Sequence, residues 1–295
     1  MKNILVIADP EEHEQQAFAK ALSMAKTTVA NLHIVIFCNE NTTAVNQENG
    51  VSKTDLQEMA VNHTKQWWES YLSSQLITMP IAYEIIWEKK IHEWVLEHCQ
   101  QKNYDLIVKT GHRSESLFYT PTDWQLFRKS PVPVYCVTPE QQNTDNIVLV
   151  ALDLMATTDT KQQLNRRLLE TAFQLSLQTN CELHCCYATE APVLLTEVEL
   201  INAPALICES EQKARKQMSI LTKDYDVDEQ HIHIQQGNPW EVLTNLGDSL
   251  KAGCFVLGTQ GRTGIAGKLI GNMAEKVIHH AKKDLLVIST DDFSL

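Results

Sequence analysis

Glycines and cations gather in one short stretch of the chain that has the chemistry to hold a phosphate group. Half of the ten glycines fall within it, and Arg262 and Lys268 stand between them. Glycine lets backbone N–H groups approach a ligand because it carries no Cβ. The stretch leads into a predicted helix, whose N-terminus adds unpaired N–H groups and the positive end of its dipole. These features predict an anion-binding loop that contains Gly258, Gly261, Gly264, Gly267 and Gly271.

The spacing of these glycines excludes two familiar phosphate-binding motifs. A P-loop requires GxxxxGK[ST], but Arg262 stands where its first glycine belongs and Leu269 where its hydroxyl belongs. The dinucleotide motif GxGxxG follows the first strand of a domain, whereas this stretch follows the fourth. What remains is the spacing G-x2-G-x9-G, from Gly258 through Gly261 to Gly271.

Short apolar runs alternate with helical patterns along the whole chain. Strand-like runs of the first half are residues 4–8, 32–38, 81–87, 106–108 and 132–137, and those of the second half are 147–152, 182–187, 231–234, 254–257 and 285–288. Helical patterns fall between them at 14–26, 53–74, 91–100, 159–179, 209–223 and 240–252. Apolar runs separated by helices predict an α/β fold with parallel sheets covered on both faces and right-handed crossovers.

An internal repeat divides the chain into two halves. Asp9 corresponds to Asp153 at the same offset that aligns residues 5–6 with residues 149–150. The segment of residues 138–145 is polar and lacks apolar periodicity, so it is the predicted linker. The length of 295 residues also fits two domains. The predicted domains are residues 1–140 and 145–295.

The glycine spacing, Asp153 and the paired layout together resemble the universal stress protein family, whose ATP-binding members carry G-x2-G-x9-G. The resemblance covers both halves and includes the turn at residues 237–239 and the run at residues 120–124. It implies two tandem, doubly wound five-stranded parallel sheets of the Rossmann-like, adenine-nucleotide alpha hydrolase-like type. The ligand that it implies is ATP, with or without Mg²⁺, bound in the second half.

The resemblance also implies roles for individual residues. Asp153 would lie near the base or ribose, and backbone around Ala188 would frame the adenine. The loop amides would hold the phosphates. The family motif has Ser or Thr where Asn272 stands; Asn caps helices and also binds phosphate, so both roles stay open. The predicted nucleotide-binding residues are Asp153, Ala188, Gly258, Gly261, Arg262, Gly271, Asn272 and Met273.

The first half lacks the glycines at the corresponding place. There the sequence aligns Lys109, His112 and Thr120 with the three motif glycines, in a loop about two residues shorter. Without glycine the backbone cannot approach phosphates in the same way. We therefore expect no ATP binding in the first half, although Asp9 is present.

Histidines form a second group of interest. His231 and His233 alternate on a predicted strand and would share one face. With His184 or the adjacent Cys185–Cys186 pair, they are candidate zinc ligands. The alternative, which we favour from sequence, is that they are ordinary partly buried strand residues and that no metal binds. On the helix at residues 91–100, His92 and His98 are expected at the surface.

Charge and composition narrow the classes of function. A net charge of −12 argues against broad contact with nucleic acid or anionic membrane. No signal peptide or long apolar span is visible, so we expect a cytoplasmic protein with reduced cysteines. Motifs for nucleophilic or zinc hydrolases, GxSxG and HExxH, are absent. Fast catalysis is therefore not expected.

The leading hypothesis is a stress-response protein that binds a nucleotide and acts as a regulator or binding module. One alternative is a non-nucleotide or amphiphilic ligand shared between the domains, suggested by the apolar stretches at residues 117–119 and 192–195. Another is a slow ATPase. The last strands of the halves, residues 134–137 and 285–288, are expected to pair within the chain as a pseudo-dimer, and a homodimer also stays open.

Overall fold

The protein is described by a computed structural model that covers residues 1–10, 14–38, 52–77, 79–111, 121–139, 146–189, 203–259, 271–280 and 282–290. The first half contains β1 (Asn3–Ala8), α1 (Gln16–Thr28), β2 (Asn31–Phe37), α2 (Lys53–Ser74), β3 (Ala82–Ile86), α3 (Ile91–Gln101), β4 (Leu106–Thr110), α4 (Pro121–Lys129) and β5 (Val134–Val137). The second half contains β6 (Ile147–Ala151), α5 (Asp159–Thr179), β7 (Glu182–Thr189), α6 (Ala203–Leu221), a 3₁₀ turn (Glu229–His231), β8 (Ile232–Gln236), α7 (Pro239–Ser249), β9 (Cys254–Thr259), α8 (Asn272–His280) and β10 (Asp284–Ser289).

The strands form one ten-stranded sheet in the order β3-β2-β1-β4-β5-β10-β9-β6-β7-β8. Within each half, neighbouring strands are parallel, and the order 3-2-1-4-5 is the same. This is the doubly wound arrangement in which the chain winds outward from the first strand in both directions. The predicted α/β class and the repeat of two five-stranded parallel units are confirmed.

The two halves meet through their last strands. β5 and β10 pair antiparallel, with Tyr135 opposite Leu286 at the centre of the pairing. The predicted pairing within one chain is therefore confirmed. We call this β5–β10 pairing the seam, and the buried Asp284 carboxylate links the two halves across it. Asp284 accepts hydrogen bonds from the Tyr135 hydroxyl at 2.7 Å and from the Thr138 backbone N–H at 2.9 Å, and the Lys20 ammonium lies 2.8 Å away.

Two apolar layers cover the sheet, one on each face. One layer is packed by α1, α2, α5 and α6, and the other by α3, α4, α7 and α8. Both layers include residues of both halves, and the central strands are buried on both faces, as expected of parallel sheets. Trp68 is fully buried against Phe18, with Trp67 and Leu72 partly buried beside it. Trp67, Trp68 and Leu72 lie on the face of α2 that packs against the core.

Some element boundaries differ from the predicted ones. α6 begins at Ala203, six residues before the predicted start, because Pro204 fits the first turn of a helix. His231 lies in the 3₁₀ turn and not in the strand, so its predicted alternation with His233 along one strand is wrong. All eight cysteines lie in the described residues, and none of them forms a disulfide.

Among the helices that the described ranges contain, none combines the length and the apolar character that a membrane span needs.

Candidate functional site

The carboxyl edge of the second half brings three of the predicted site residues to neighbouring strands. β6 lies between β9 and β7, and the chain leaves β6 and β9 toward opposite sides of the sheet. Such a switch point opens the crevice in which doubly wound sheets bind ligands. Asp153 follows β6 by two residues, Ala188 stands near the end of β7, and Gly258 stands near the end of β9.

Asp153 has a fixed backbone and an accessible carboxylate. The Asn165 carboxamide accepts from the Asp153 N–H at 2.9 Å and donates to its carbonyl at 2.6 Å. The Asp153 side chain is 51% exposed and lies 3.3 Å from the Lys161 ammonium. Gln15 holds the backbone of Asp9 in the same way in the first half, but there the aspartate is buried. The sequence did not predict these two side-chain amides, because Gln15 follows Asp9 by six residues whereas Asn165 follows Asp153 by twelve.

Gly258 has a packing role that the sequence reasoning did not anticipate. A Cβ at this position would lie 2.7 Å from Leu164 Cδ2 and 3.1 Å from Leu168 Cδ1, both on α5. A side chain at this position would therefore force the Leu164 side chain to move. The predicted role of Gly258 in phosphate approach stays a prediction, and close packing against α5 is a second reason for a glycine at this position.

The far end of the motif is more open. A Cβ at Gly271 would meet nothing within 4 Å among the described neighbours, and the Gly271 carbonyl accepts from the Glu275 N–H at 3.0 Å at the start of α8. α8 begins at Asn272, and Met273 packs partly buried against the apolar layer below. Gly261 and Arg262 lie outside the described residues.

The strand register corrects the predicted alignment in the first half. Ile4 and Val148 are equivalent positions in the repeat. Ile4 pairs with Leu106 and Val148 pairs with Cys254, so Leu106 and Cys254 are equivalent as well. Thr110, and not Lys109, therefore occupies the place of Gly258. The Thr110 hydroxyl accepts from the Ala17 N–H at 3.2 Å, in the first turn of α1. His112 and Thr120 lie outside the described residues.

Lys109 instead forms a buried ion pair with Asp123 on α4. The two side chains are only 5% and 0% exposed, and the ammonium also donates to the Thr110 carbonyl. Burial opposes the charge of Lys109, but the Asp123 carboxylate, with a smaller contribution from Asp9, raises the pKa of Lys109 above its ordinary value. Sequence reasoning missed this pair, although a lysine within an apolar strand was its visible signal.

A first histidine cluster lies among β2, β3 and α3, and comprises His33, Glu84, His98 and Tyr104. His33 Nε2 lies 2.8 Å from Glu84 Oε1, while His33 Nδ1 is hydrogen-bonded to the Tyr104 hydroxyl. The same hydroxyl lies 3.1 Å from His98 Nε2. His98 is half-buried and stacks on Trp94 with ring centroids 4.2 Å apart, so its predicted surface position is wrong. Burial lowers the pKa of both His33 and His98.

A second histidine cluster lies at the amino ends of β7 and β8, and comprises Glu182, His184, His231 and His233. His184 Nδ1 lies 2.9 Å from His233 Nε2, and the His231 ring stacks on His184 with centroids 4.2 Å apart. Glu182 Oε2 lies 3.5 Å from His184 Nε2 and 3.7 Å from His231 Nε2. Burial lowers the pKa of His184 and of His233. The structure thus brings the two predicted candidates, His231 and His233, together around His184.

The two clusters occupy corresponding places in the repeat. Asn3 and Ile147 are equivalent positions in the repeat, and they pair with Asn31 and Glu182. His33 therefore corresponds to His184, two residues further along each strand. Continuing the register to the edge strands aligns Glu84 with His233. Sequence reasoning did not find this correspondence, because it depends on how β3 and β8 pair with their neighbours.

Comparison with known proteins agrees with the fold and the repeat. The model of the universal stress protein family matches residues 1–138 and again residues 146–289. The chain is 30% identical to universal stress protein E of Salmonella typhi over 303 residues, covering 99% of this chain and 95% of that protein. A universal stress protein E homolog of Haemophilus influenzae is 27% identical, with 97% of each protein covered.

Solved structures share the architecture of the whole chain. A Pseudomonas aeruginosa protein described as a universal stress protein superposes with a TM-score of 0.72 at 23% identity, covering 99% of this chain and 94% of that one. A universal stress protein from Archaeoglobus fulgidus gives a TM-score of 0.61 at 15% identity, with coverage of 97% and 98%. These likenesses bear on the fold alone, while the family match extends over both halves. The chain therefore belongs to the universal stress protein family, with two tandem domains of that family and a sequence similar to universal stress protein E.

Proposed function

We propose that this protein is a cytoplasmic stress-response regulator that binds ATP or a related nucleotide in its second half. The observation that carries the proposal is the G-x2-G-x9-G spacing from Gly258 to Gly271, which begins at the switch point in the second half of the sheet. Doubly wound sheets bind their ligands at this place. In the first half, Thr110 stands at the position of Gly258, and the neighbouring Lys109 forms a buried ion pair with Asp123.

The proposed site uses each element for a different part of the nucleotide. The accessible Asp153 carboxylate is suited to accept hydrogen bonds from ribose hydroxyls, and the small Ala188 leaves room beside β7 for a flat base. Arg262, the loop amides and the N-terminus of α8 would meet the phosphates, where backbone N–H groups and the helix dipole favour negative charge. Mg²⁺ would enter with the phosphates, whose oxygens suit a hard cation.

Binding, and not rapid turnover, is the proposed activity. Among the described residues near the switch point, Asp153 is the accessible carboxylate, and its ion pair is with Lys161. A ligand regulates a protein by the difference in its affinity for two states. We propose that nucleotide occupancy favours one conformation or one assembly of the chain.

Calorimetric titration of the full-length protein with ATP and Mg²⁺ tests the proposal. We expect one site per chain, with affinity reduced by Gly261→Ala in the loop and by Asp153→Ala at the end of β6. Asp226→Ala is the matched control, because it removes an exposed carboxylate from the segment that precedes β8. If the unmodified protein shows no heat of binding and no thermal shift with ATP and Mg²⁺, the nucleotide proposal is ruled out.

Two alternatives are distinguished by further measurements. The apolar stretches at residues 117–119 and 192–195 lie outside the described residues, and native mass spectrometry that finds a co-purified mass other than a nucleotide would favour a different ligand. For a slow ATPase, phosphate release should fall in Asp153→Ala and Gly261→Ala. Release unchanged in both variants would assign the activity to a contaminant or another site.

A further inference from the structure

We infer that the second histidine cluster binds a divalent transition metal ion of the zinc type. Glu182, His184 and His231 would supply the ligands, and His233 would hold His184 in place. The inference does not depend on nucleotide binding, because the cluster lies at the amino ends of β7 and β8 and the proposed nucleotide site at the carboxyl edge.

A buried nitrogen without a hydrogen bond is the first observation. The His184 side chain is 6% exposed, and its Nε2 atom makes no hydrogen bond to any described residue. Buried polar atoms in folded proteins nearly always have a partner, and an exception calls for an explanation such as an ion. The groups that Nε2 faces are the Glu182 carboxylate and the stacked His231 ring.

The distances between the ligand atoms match those of a small metal site. Bonds of about 2.0–2.1 Å in a tetrahedral zinc site place the ligand atoms about 3.3 Å apart. Glu182 Oε2 lies 3.5 Å from His184 Nε2 and 3.7 Å from His231 Nε2, and all three atoms lie within 4.8 Å of one another. The rings of His184 and His231 are stacked with an interplanar angle of 22°, so both rings must rotate to direct their Nε2 lone pairs at the same ion as Glu182 Oε2. Two imidazoles and a carboxylate leave a fourth position for water.

His233 supplies the support that a metal-bound histidine needs. A ligating imidazole almost always donates its other ring N–H to a partner, which fixes its tautomer and orientation. His184 Nδ1 lies 2.9 Å from His233 Nε2. When Nδ1 carries the proton and donates it to His233, the lone pair of His184 Nε2 faces the Glu182 carboxylate. A cation between these two electron-rich groups is then strongly favoured.

The first histidine cluster provides an internal comparison. It also brings three ligand-type groups together, but both ring nitrogens of His33 have hydrogen-bonding partners, in Glu84 and Tyr104. The Lys102 ammonium lies 3.7 Å from Glu84 Oε1 and supplies positive charge there. The first cluster is therefore complete without an ion, while the corresponding place in the second half has a buried nitrogen that makes no hydrogen bond to a described residue.

The test uses full-length protein, with any affinity tag removed, after treatment with a chelator. Zn²⁺ is titrated calorimetrically, and Co²⁺ is titrated while its visible absorption reports the coordination geometry. We expect one tight site per chain, the intense bands of four-coordinate Co²⁺, and a Zn²⁺-dependent rise in Tm. His184→Gln should abolish the site, and His233→Phe should weaken it about 10–100-fold.

Two further variants keep the test decisive if a buried substitution disturbs folding. Glu182 is 64% exposed, so Glu182→Gln should fold normally and still lose at least tenfold in affinity. His33→Gln, in the first cluster, should bind Zn²⁺ as the unmodified protein does. The inference fails if the unmodified protein has no such site, or if Glu182→Gln binds with unchanged affinity.

Discussion

The buried ion pair of Lys109 and Asp123 in the first half has apolar counterparts in the second half. Under the strand register, Lys109 corresponds to Leu257, and under the matching burial of α4 and α8, Asp123 corresponds to Ala274. Both of the second-half residues are buried in the apolar layer. One fold thus accepts either a charged or an apolar pair at the same position.

This correspondence predicts the effect of removing one charge or both. Asp123→Ala leaves the Lys109 ammonium buried without its main partner, and we expect a loss of about 3–5 kcal/mol in the free energy of unfolding. Lys109→Leu combined with Asp123→Ala copies the second half, and we expect it to be neutral or stabilising by about 1–4 kcal/mol. Urea denaturation measures both. A single variant as stable as the double variant would contradict this explanation.

Gly258 is a second position at which substitution has a predictable cost. The Cβ of alanine would lie 2.7 Å from Leu164 Cδ2, so Gly258→Ala should shift α5 and cost about 1–3 kcal/mol through overpacking. Shortening the neighbour with Leu164→Ala should make the two changes cost less together than the sum of their separate costs. Denaturant unfolding of the four proteins of this cycle measures the coupling. Strict additivity would argue that Gly258 is required for another reason.

Helices of the two halves end in the same backbone conformation on different residues. The residue that caps α1 is Val29, with φ of 57°, and the residue that caps α5 is Asn180, with φ of 53°. Both residues donate a backbone hydrogen bond to the last turn of their helix. Asparagine tolerates the left-handed region, whereas a β-branched side chain is strained there.

We therefore expect Val29→Gly to stabilise the protein by about 1 kcal/mol, since it removes the steric penalty of the left-handed conformation. Val29 is 89% exposed, so little packing is lost with its side chain. Asn180→Gly is the matched control at the end of α5 and should change stability by a smaller amount. Thermal and urea unfolding measure both variants. Destabilisation by Val29→Gly would show that unfolded-chain entropy outweighs the relief of strain.

Across the whole molecule, the seam between β5 and β10 joins the halves into one sheet. Asp284 on the second half accepts from Tyr135 and Thr138 and pairs with Lys20, all on the first half. Because the last strands are already paired inside the chain, a homodimer would have to use another surface. The edge strands of the sheet are β3 and β8, beside the two histidine clusters.

Removal of the Asp284 carboxylate should lower the free energy of unfolding of the protein. Asp284→Ala leaves the donors of Tyr135 and Thr138 without their buried acceptor, and we expect a loss of about 3–5 kcal/mol in unfolding free energy. Tyr135→Phe keeps the ring and removes one donor, so its loss should be smaller, about 1.5–3 kcal/mol. Guanidinium unfolding monitored by tryptophan fluorescence measures both. Equal losses in the two variants would mean that the Tyr135 bond accounts for the whole effect.

Local patterns were enough to predict most of the elements. The helix at residues 53–74 and the helix at residues 159–179 have the predicted bounds, because helical periodicity and N-caps at Ser52 and Thr158 are properties of adjacent residues. The start of α6 was less accurate, because it was predicted at residue 209 and lies at Ala203. The family resemblance depended in the same way on a contiguous stretch, the spacing from Gly258 to Gly271.

The sequence by itself determined the alternation of strands and helices, the repeat, the family and the residues to consider at the nucleotide site. Only the tertiary structure decided which distant side chains meet: Lys109 with Asp123, Gly258 with Leu164, and His184 with His231 and Glu182. The reason is strand register. A shift of one residue in the pairing changes both the neighbour and the face of every side chain, and periodicity within one segment carries no information about how that segment aligns with the next.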